Sequence, residues 1–535
     1  MTRQEAFIRW NKEIDDWLKY LKRREELIQI QEEGETQIGD LEKTRRQIQA
    51  IYNLRSGVFV NPELILAFIH PESIPEGDIV SLKYTTDMLD ESQKIAVDKA
   101  LSGQCFTLIQ GPPGTGKTSV ITEICSQILL KDASARILVC SETHVAVNNI
   151  FYNLDKKFEN FMGLRIKDKE LGDEKTREKF QINQVLIKYL ERLRKKRISE
   201  GIIQLLNNEI TSNSHRINEM LFYTSRFVGI TCNGIGGISF NAKYPFDYVI
   251  LDENSKISFP EIILALIWGK KAVMVGDPVQ LSPVYTELDR QAMAETGTRS
   301  LELYTYVEEV YARIPEHAFT MLNRQYRMVD EISAIISKYF YQGKLFNGKE
   351  HNSLPGSVIW ADYLTESLWP VSDSSNTKRS PYNLDELEVI KDILRIEASM
   401  YNNTERKKQI SIIAPYKGQK SKLIHMINRN REVIELKRNI NIKVDTVDSI
   451  QGRDSEVVIF SITRNHGTSF FFSNYKRLNV AFSRAKQKLW IVGQRSYTDR
   501  VYHWEGDEKV YMLREIADSC VNEFFSLKEH IENRR

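Results

Sequence analysis

The sequence has few cysteines and no long apolar run. Its five cysteines, spread over 535 residues, form no C-x-x-C pair, so the sequence supports neither a zinc site nor a disulfide framework. No apolar run approaches the roughly 18 residues that a membrane span needs. The N-terminus carries Arg3, Glu5 and Lys12 and does not resemble a signal peptide. We therefore expect a soluble, cytoplasmic protein without a membrane partner.

The sequence also lacks an excess of either charge. Lys+Arg number 74 and Asp+Glu 72, which leaves a net charge of +2, so any nucleic-acid-binding surface must be local. The composition, 41% hydrophobic and 27% charged, is that of an ordinary globular protein. At roughly 150 residues per domain, the length allows three or four domains.

A glycine-rich stretch lies between a strand-like run at 105–110 and a helical pattern at 119–130. This strand–loop–helix context distinguishes a P-loop from a chance turn, because the loop amides and the helix N-terminus bind phosphate together. Lys117 is predicted to reach the β- and γ-phosphates, and the Thr118 hydroxyl to hold Mg²⁺. The predicted ATP-binding loop consists of Gly111, Pro112, Pro113, Gly114, Thr115, Gly116, Lys117 and Thr118.

Two further segments with catalytic residues follow strand-like runs. Asp252 and Glu253 come directly after the run 248–251. Such acids often begin helices, but beside a P-loop they predict a Mg²⁺ ligand at Asp252 and a base that activates water at Glu253. Gln280, after the run 272–275, is placed to sense the γ-phosphate. The Gly, Asp and Pro residues of its segment are also typical of an ordinary turn.

The apolar runs fall into two series and predict an α/β fold with two RecA-like parallel-sheet domains in tandem. The first series lies at 105–110, 136–140, 227–231, 248–251 and 272–275, and the second at 357–360, 410–414, 442–447, 457–462 and 489–492. We place the first domain at 89–315 and the second at 316–500.

The remaining segments have helical patterns. Residues 1–88 predict a helical hairpin, bent near Gly34 and Gly39, and a short irregular or β-containing connector. The hairpin either docks a partner or, as we prefer, packs on the ATPase core. A charged helical insertion at about 160–225 contains the basic run 192–197, which fits a solvated face slightly better than a phosphate contact. Residues 501–535 predict a closing helix.

Eight motifs stand in the order seen in a known family. They occupy 89–93, 111–118, 141–148, 252–256, 276–283, 325–328, 447–454 and 477–484. Residues 89–494 thereby resemble a superfamily 1 helicase of the 5′→3′ branch, the group that contains the nonsense-mediated-decay helicase and its bacterial relatives. The resemblance implies an ATP-driven enzyme acting on single-stranded DNA or RNA.

The resemblance also implies residue roles. Gln93 would bind the adenine edge and Tyr326 its face. Arg327 and Arg484 would be the γ-phosphate arginines, for which the planar guanidinium is suited. Gly452 and Asp454 would lie near the nucleotide. The implied nucleic-acid contacts are Thr143, His144, Thr231, Pro283, Tyr416 and Thr446.

Four positions depart from the usual pattern of the family. Lys256 replaces a glutamine, Asn254 a small residue and His144 an asparagine, while Asp454 is shorter than the usual glutamate. Both acids, the P-loop lysine and both arginines are intact, so we expect activity with altered coupling and looser nucleotide choice. An ATP-gated clamp that acts with a partner, such as a nuclease, would share these motifs. A GTPase would need a guanine-reading element and would leave the later motifs unexplained.

Overall fold

A computed structural model describes most of the chain. The described residues are 3–30, 35–78, 80, 82–159, 161–166, 180, 185, 187–188, 191, 201, 204, 214–298, 306–348, 356–365, 380–400, 406–450, 454–467, 469–505 and 507–525. The chain divides into two compact units. The first comprises Met1–Pro112, Gly116–Pro278 and Ser282–Leu322, and the second comprises Pro113–Thr115, Val279–Leu281 and Asn323–Arg535.

The first unit contains a seven-stranded sheet in which every pairing is parallel. Its strands are β1 (Phe106–Gln110), β2 (Ile137–Ser141), β3 (Leu164–Arg165), β4 (Phe227–Thr231), β5 (Phe246–Asp252), β6 (Gly269–Gly276) and β7 (Phe319–Met321). Their order is β3-β4-β2-β5-β6-β1-β7. Helices cover both faces of such a sheet, which explains the unbroken apolar runs. The predicted α/β class is confirmed.

Helices and 3₁₀ turns precede and connect these strands. They are Glu91–Leu101, Lys117–Lys131, His144–Lys157, Ser214–Thr224, Cys232–Ile235, Phe259–Leu266, Glu287–Thr296 and Tyr306–Arg313, with 3₁₀ turns at Asn254–Lys256 and Glu316–Ala318. Polar side chains define several helix starts: Asp90 and Gln93 form a reciprocal capping box, as do Ser258 and Glu261. Of the predicted helical insertion at 160–225, the helix Ser214–Thr224 is described, whereas the basic run 192–197 lies outside the described residues.

Two N-terminal helices, Arg3–Ile30 and Glu35–Arg55, belong to the first unit and pack on the rest of its core, in agreement with the preferred expectation. The ring centres of Trp17 and Phe259 are 5.8 Å apart, and both residues are buried. Gly39 lies inside the second helix rather than at a bend, and Gly34 is outside the described residues. The apolar stripe of the hairpin is therefore part of the core of this unit.

The connector that follows contains no strand among its described residues, so the β-containing alternative is wrong. It forms the helix Pro62–Ile69 and a 3₁₀ turn, Pro71–Ser73. Asn61 caps the helix by accepting the amide of Glu63, and Pro62 occupies the first helical position. Proline is favoured there because its missing N–H would have no partner in the helix anyway.

The second unit contains a six-stranded sheet, again with every pairing parallel. Its strands are β10 (Val358–Tyr363), β11 (Lys408–Ala414), β12 (Ile440–Thr446), β13 (Ser455–Ser461), β14 (Ala485–Val492) and β17 (Val521–Phe525), in the order β12-β11-β13-β14-β10-β17. Two small pairs join β8 (Arg324–Gln325) to β9 (Phe346–Asn347), and β15 (His503–Glu505) to β16 (Glu508–Val510).

The helices of this unit lie between its strands. They are Asp330–Phe340, Leu384–Ser399, Lys417–Arg429, Arg431–Leu436, Val447–Ile450, Phe470–Ser473, Tyr475–Phe482 and Met512–Ser519, with a 3₁₀ turn at Arg495–Arg500. Within the described residues of both units, no helix is both long enough and apolar enough to cross a membrane.

The C-terminal segment differs from the predicted closing helix. After the helix Met512–Ser519, β17 pairs in parallel with β10 and forms an edge of the second sheet, with Phe525 buried. Residues 526–535 lie outside the described part of the chain. The sequence Val-Asn-Glu-Phe-Phe of this strand carries too few apolar residues at period two to be recognised without its partner strand.

Candidate nucleotide and nucleic-acid sites

The P-loop follows β1 and ends at the helix Lys117–Lys131. Gly116, with a φ of 78°, is the left-handed residue at the helix start, and the Gly111 amide donates to the Gly276 carbonyl at 2.8 Å. Lys117 Nζ donates to the Gly111 carbonyl at 2.6 Å. A Cβ on Gly111 would lie 2.2 Å from Lys117 Cγ. The lysine side chain therefore lies along the loop and passes so close to residue 111 that only glycine leaves room for it.

Gln93 lies beside this loop. It is buried, and its Oε1 accepts the Asp90 amide at 3.0 Å. A Cβ on Gly116 would lie 2.6 Å from Gln93 Nε2. The predicted adenine-binding residue is therefore adjacent to the phosphate-binding loop, and its side chain also caps the start of the helix Glu91–Leu101.

Asp252 is buried at the carboxyl end of β5, where its Oδ1 accepts the Glu253 amide at 2.9 Å. Burial, and then the neighbouring Glu253 carboxylate, raise the pKa of Asp252 to about 7, while the charges of Lys117 and Lys256 lower it. The first unit thus brings the P-loop lysine within electrostatic range of the acid pair. A buried carboxylate at this position fits a divalent cation.

Glu253 has a φ of 57°, in the left-handed region that non-glycine residues seldom adopt. Such a conformation costs about 1–3 kcal/mol and is concentrated at functional sites. In the 3₁₀ turn after it, the Lys256 amide donates to the Glu253 carbonyl at 3.1 Å, and Lys256 Nζ lies 3.9 Å from Glu253 Oε2. The lysine that departs from the family pattern therefore forms an ion pair with the predicted base.

Asn254, the second departure in this motif, is fully buried between the ends of β5 and β6. Its Oδ1 accepts from the Tyr311 hydroxyl at 3.3 Å, and its Nδ2 has no hydrogen-bond partner within the described chain. A Cβ on Gly276 would lie 2.1 Å from Asn254 Oδ1. The asparagine side chain at 254 thus has room only because residue 276, which begins the next motif, is a glycine.

The segment after β2 carries Thr143 and His144. Thr143 is exposed and caps the helix His144–Lys157 by accepting the Ala146 amide at 3.4 Å. His144 Nδ1 lies 2.7 Å from Arg165 Nη2, and because a guanidinium only donates, the histidine nitrogen is the acceptor. Arg165 also donates to the Asn148 side chain at 2.9 Å. Sequence reasoning missed this anchor, because Arg165 lies on the two-residue strand β3.

Two other predicted nucleic-acid contacts also lie after strands of the first unit. Thr231, at the end of β4, is buried and accepts the Gly234 amide at 3.2 Å, which caps the short helix Cys232–Ile235. Pro283 is half-buried in the irregular segment after β6. Gln280, which precedes Pro283 in the chain and is grouped with the second unit, is buried.

A cluster of charges that sequence reasoning missed surrounds Glu142. Lys43, on the N-terminal helix Glu35–Arg55, lies 2.9 Å from Glu261 Oε1. Burial, and then the charge of Glu261, raise the pKa of Glu142 to about 7, whereas Lys43 and Lys256 lower it. Glu142 directly follows Ser141, which pairs with Asp252 across β2 and β5. The cluster therefore borders both the acid pair and Thr143.

In the second unit, the two predicted γ-phosphate arginines meet at Ser483. Arg327 Nη1 donates to the Ser483 carbonyl at 3.3 Å, and Arg484 Nη2 donates to the Ser483 hydroxyl at 3.3 Å. Arg327 Nε also lies 3.4 Å from Asp454 Oδ2, whose other oxygen is 2.9 Å from Lys486 Nζ. Asp454 therefore pairs with two cations. Gly452 lies outside the described residues.

Tyr326 is half-buried next to Arg327. A Cβ on Gly348 would lie 2.1 Å from Tyr326 Cε1, so the ring packs against the glycine backbone. Gln325 holds the start of this motif, because its Oε1 accepts the amides of both Arg327 and Met328 at 2.8 Å.

The predicted nucleic-acid contacts of the second unit follow β11 and end β12. The Tyr416 hydroxyl accepts from Arg464 Nε at 2.8 Å and lies 2.6 Å from the Ser469 hydroxyl. The Arg464 guanidinium lies 5.3 Å from the centre of the Tyr416 ring. Thr446 Oγ1 lies 3.1 Å from the Ser449 hydroxyl. Tyr416 stays a predicted nucleic-acid contact, and the sequence pattern did not single out Arg464 and Ser469, which bind its hydroxyl.

Comparisons with known proteins relate the chain to ATP-dependent helicases. Two family models, both described as AAA domain, match the chain: one at residues 88–170 and 162–287, the other at 302–496. An ATP-dependent helicase of Methanocaldococcus jannaschii is 27% identical over 82% of this chain and 73% of that protein. The DNA polymerase alpha-associated DNA helicase A of Saccharomyces cerevisiae is 28% identical over 76% of this chain and 65% of that protein.

The DNA replication ATP-dependent helicase/nuclease DNA2 of Gallus gallus is 30% identical over 86% of this chain. The match spans only 42% of that protein, so the chain corresponds to less than half the length of this relative.

Proposed function

Because the chain belongs to the superfamily 1 helicases, in the group that includes DNA2, we propose that it hydrolyses ATP to move 5′→3′ along single-stranded nucleic acid and to separate duplexes. The observation that carries this proposal is the first unit's combination of a P-loop lysine with the buried Asp252 and the half-buried Glu253, whose charges interact. The two catalytic domains are assigned to 89–315 and 316–500, with the helical stalk and connector at 1–88.

The residues present fit ATP and Mg²⁺. The glycines of 111–116 place backbone amides and the start of the helix Lys117–Lys131 around one loop, which suits phosphate oxygens. The Thr118 hydroxyl and the Asp252 carboxylate supply the oxygen ligands that Mg²⁺ prefers. The metal would neutralise phosphate charge during the reaction.

Glu253 orients the attacking water and takes its proton, and Lys117 holds the β- and γ-phosphates. Arg327 and Arg484, held on either side of Ser483, are the γ-phosphate arginines, and Gln280 senses the γ-phosphate. Gln93 and Tyr326 bind the adenine, and Asp454 and Gly452 lie near the nucleotide. The pairing of Asp454 with Arg327 gives this acid a second role, which is to hold the arginine.

Nucleic acid binds through its phosphates and by stacking, without reading bases. Small hydroxyls and helix starts grip phosphates, and Tyr416 stacks on a base, so binding tolerates any sequence. The proposed contacts are Thr143, His144, Thr231, Pro283, Tyr416 and Thr446. A protein partner would use the exposed polar residues of the N-terminal helices or the insertion at 160–225, since the apolar stripe of the hairpin is buried.

The test is steady-state ATP hydrolysis by the full chain, with and without single-stranded DNA or RNA oligonucleotides, beside the Glu253→Gln variant. We expect one polymer to stimulate hydrolysis strongly, and Glu253→Gln to abolish that hydrolysis. The preferred polymer then identifies the track. Absence of stimulation by either polymer would contradict a free-standing motor and favour the alternative, an ATP-gated clamp that acts with a partner.

A further inference from the structure

A fully buried carboxyl group fixes one turn of the second unit. Glu386 is in the first turn of the helix Leu384–Ser399, and its two oxygens accept the Thr463 amide at 2.8 and 2.9 Å. The Tyr363 hydroxyl donates to Oε1 at 3.3 Å, and the Ser461 hydroxyl donates to Oε2. Burial, opposed by these hydrogen bonds, raises the pKa of Glu386 to about 8.

The turn held in this way is strained. Thr463 has a φ of 72° and is fully buried, although threonine is β-branched and disfavours this conformation. Asn383 Nδ2 donates to the Thr463 carbonyl at 3.2 Å, so side chains hold both backbone groups of this residue. A strained conformation persists only where its surroundings determine it, and such residues are concentrated at binding sites.

The residue presented by this turn is Arg464. It follows β13, while Tyr416 follows the neighbouring strand β11. The Arg464 Nε donates to the Tyr416 hydroxyl at 2.8 Å, and the guanidinium lies over the ring at 5.3 Å from its centre. Both side chains are half-buried and therefore reach the surface. The strained turn thus places a cation against an aromatic ring.

The same network also determines where Tyr416 lies. Gln419, on the helix Lys417–Arg429, donates to the Ser461 hydroxyl at 3.1 Å and accepts the Asn383 amide at 2.8 Å. Because Gln419 and Tyr416 are three residues apart, one buried network fixes the segments that carry both Tyr416 and Arg464.

We propose that Arg464 binds a phosphate group of the single-stranded nucleic acid whose base stacks on Tyr416, and that the Glu386–Thr463 turn positions it. A guanidinium meets phosphate oxygens through paired N–H groups, and an aromatic ring accepts any base. The two side chains together form one nucleotide-sized binding unit that grips backbone and base. This inference rests on the proposed function, because it presumes a nucleic-acid track in the second unit.

The test measures the affinity of the full chain for a fluorescein-labelled oligo(dT), or oligo(U) if RNA is preferred, by anisotropy at a series of salt concentrations. For single strands, each lost phosphate contact makes the slope of log K against log salt shallower by about 0.7. We expect this change, with weaker binding, for Arg464→Gln, which keeps a donor for Tyr416 but removes the charge. Arg464→Lys should keep the wild-type slope.

Two further variants separate the two roles. Tyr416→Ala should weaken binding with the slope unchanged, since it removes stacking and not charge. Glu386→Gln loses one acceptor for the turn, and we expect a shallower slope, as for Arg464→Gln. Arg395→Ala, on the same helix and paired with Glu432 at the surface, is the matched control and should keep the wild-type affinity and slope.

If Arg464→Gln binds the oligonucleotide with the wild-type slope of log K against log salt, the phosphate contact is overturned and the proposed function stays intact. Failure of the wild-type chain to bind either polymer would overturn both. A thermal melt of each variant distinguishes loss of a contact from loss of folding.

Discussion

The two units use the same scaffold and carry opposite chemistry at the ends of their strands. In the first sheet, carboxylates come directly after β2, at Glu142, and at the end of β5, at Asp252 and Glu253. In the second sheet, β11 and β13 lead into an aromatic residue and a cation, at Tyr416 and Arg464. Parallel sheets bind their ligands at these ends, so the residues at the strand ends determine function while the scaffold stays the same.

The two units also use buried acids differently. Burial raises the pKa of both Asp252 and Glu386. Asp252 lies beside the P-loop lysine and Glu253, where a charge can act on a substrate. Glu386 instead binds the backbone of Thr463 and fixes a turn. A perturbed pKa alone therefore does not identify a catalytic acid, and the groups that the acid contacts decide its role.

Removing a cation of the second unit should give the largest effect. We expect Arg327→Ala and Arg484→Ala each to lower kcat for ATP by at least about 10³-fold, because arginines that stabilise the transferring phosphate contribute about 10³–10⁵. Arg395→Ala serves as the matched control. A loss below tenfold in both variants, measured by steady-state hydrolysis, would show that neither arginine stabilises the transferring phosphate.

The corresponding change in the first unit is Glu253→Gln. Loss of a positioned base costs about 10²–10⁴-fold in rate, so we expect kcat to fall by at least about 10² with ATP binding retained. Hydrolysis kinetics and binding of a fluorescent ATP analogue measure the two quantities. Glu508→Gln, on the hairpin β15–β16, should leave both unchanged. A residual rate above one tenth of wild type would rule out Glu253 as the base.

The structural role of Glu386 in the second unit can be tested through the pH dependence of protein stability. Its pKa is raised in the folded protein, so its contribution is fully present below the ordinary glutamate range and is lost as pH rises through about 8. We expect the free energy of unfolding to fall with pH in that window, by at most about 1.4 kcal/mol per pH unit. In urea unfolding measured from pH 5 to 8, the free energy of unfolding of Glu386→Gln should depend less on pH than that of the wild-type protein. An equal pH dependence of the free energy of unfolding in both proteins would contradict the raised pKa of Glu386.

The smallest expected effect concerns Lys256. Its ion pair with Glu253 is long, at 3.9 Å, so we expect Lys256→Gln to lower kcat only about twofold to fivefold, with KM for ATP unchanged. Lys256→Arg should restore most of the rate because it keeps the charge. Steady-state kinetics of the three proteins decide this, and a changed KM with constant kcat would place Lys256 in ATP binding instead.

The features that could be predicted correctly from the sequence are local. The strands β1, β5 and β6 are predicted because each contains a short apolar run typical of a buried parallel sheet, and the sheets confirm the fold class. The residue roles at the P-loop and at Asp252 remain predictions, and the structure supports them by proximity.

The features that escaped prediction join residues far apart in the chain. Lys43 meets Glu261, and Glu386 meets Thr463, across different elements with no shared spacing. The strand β3 is two residues long, and β17 is an edge strand that depends on β10 for its hydrogen bonds. No local pattern encodes such partners, because tertiary packing alone brings them together.

Directional movement on a single strand tests the central claim most directly. The measurement is ATP-dependent displacement of streptavidin from an oligonucleotide of the stimulating polymer, biotinylated at either its 3′ or its 5′ end. A 5′→3′ motor predicts release from the 3′ end and none from the 5′ end, with Glu253→Gln inactive on both. Stimulated ATP hydrolysis without release from either end would contradict the motor, and release from the 5′ end alone would contradict its polarity.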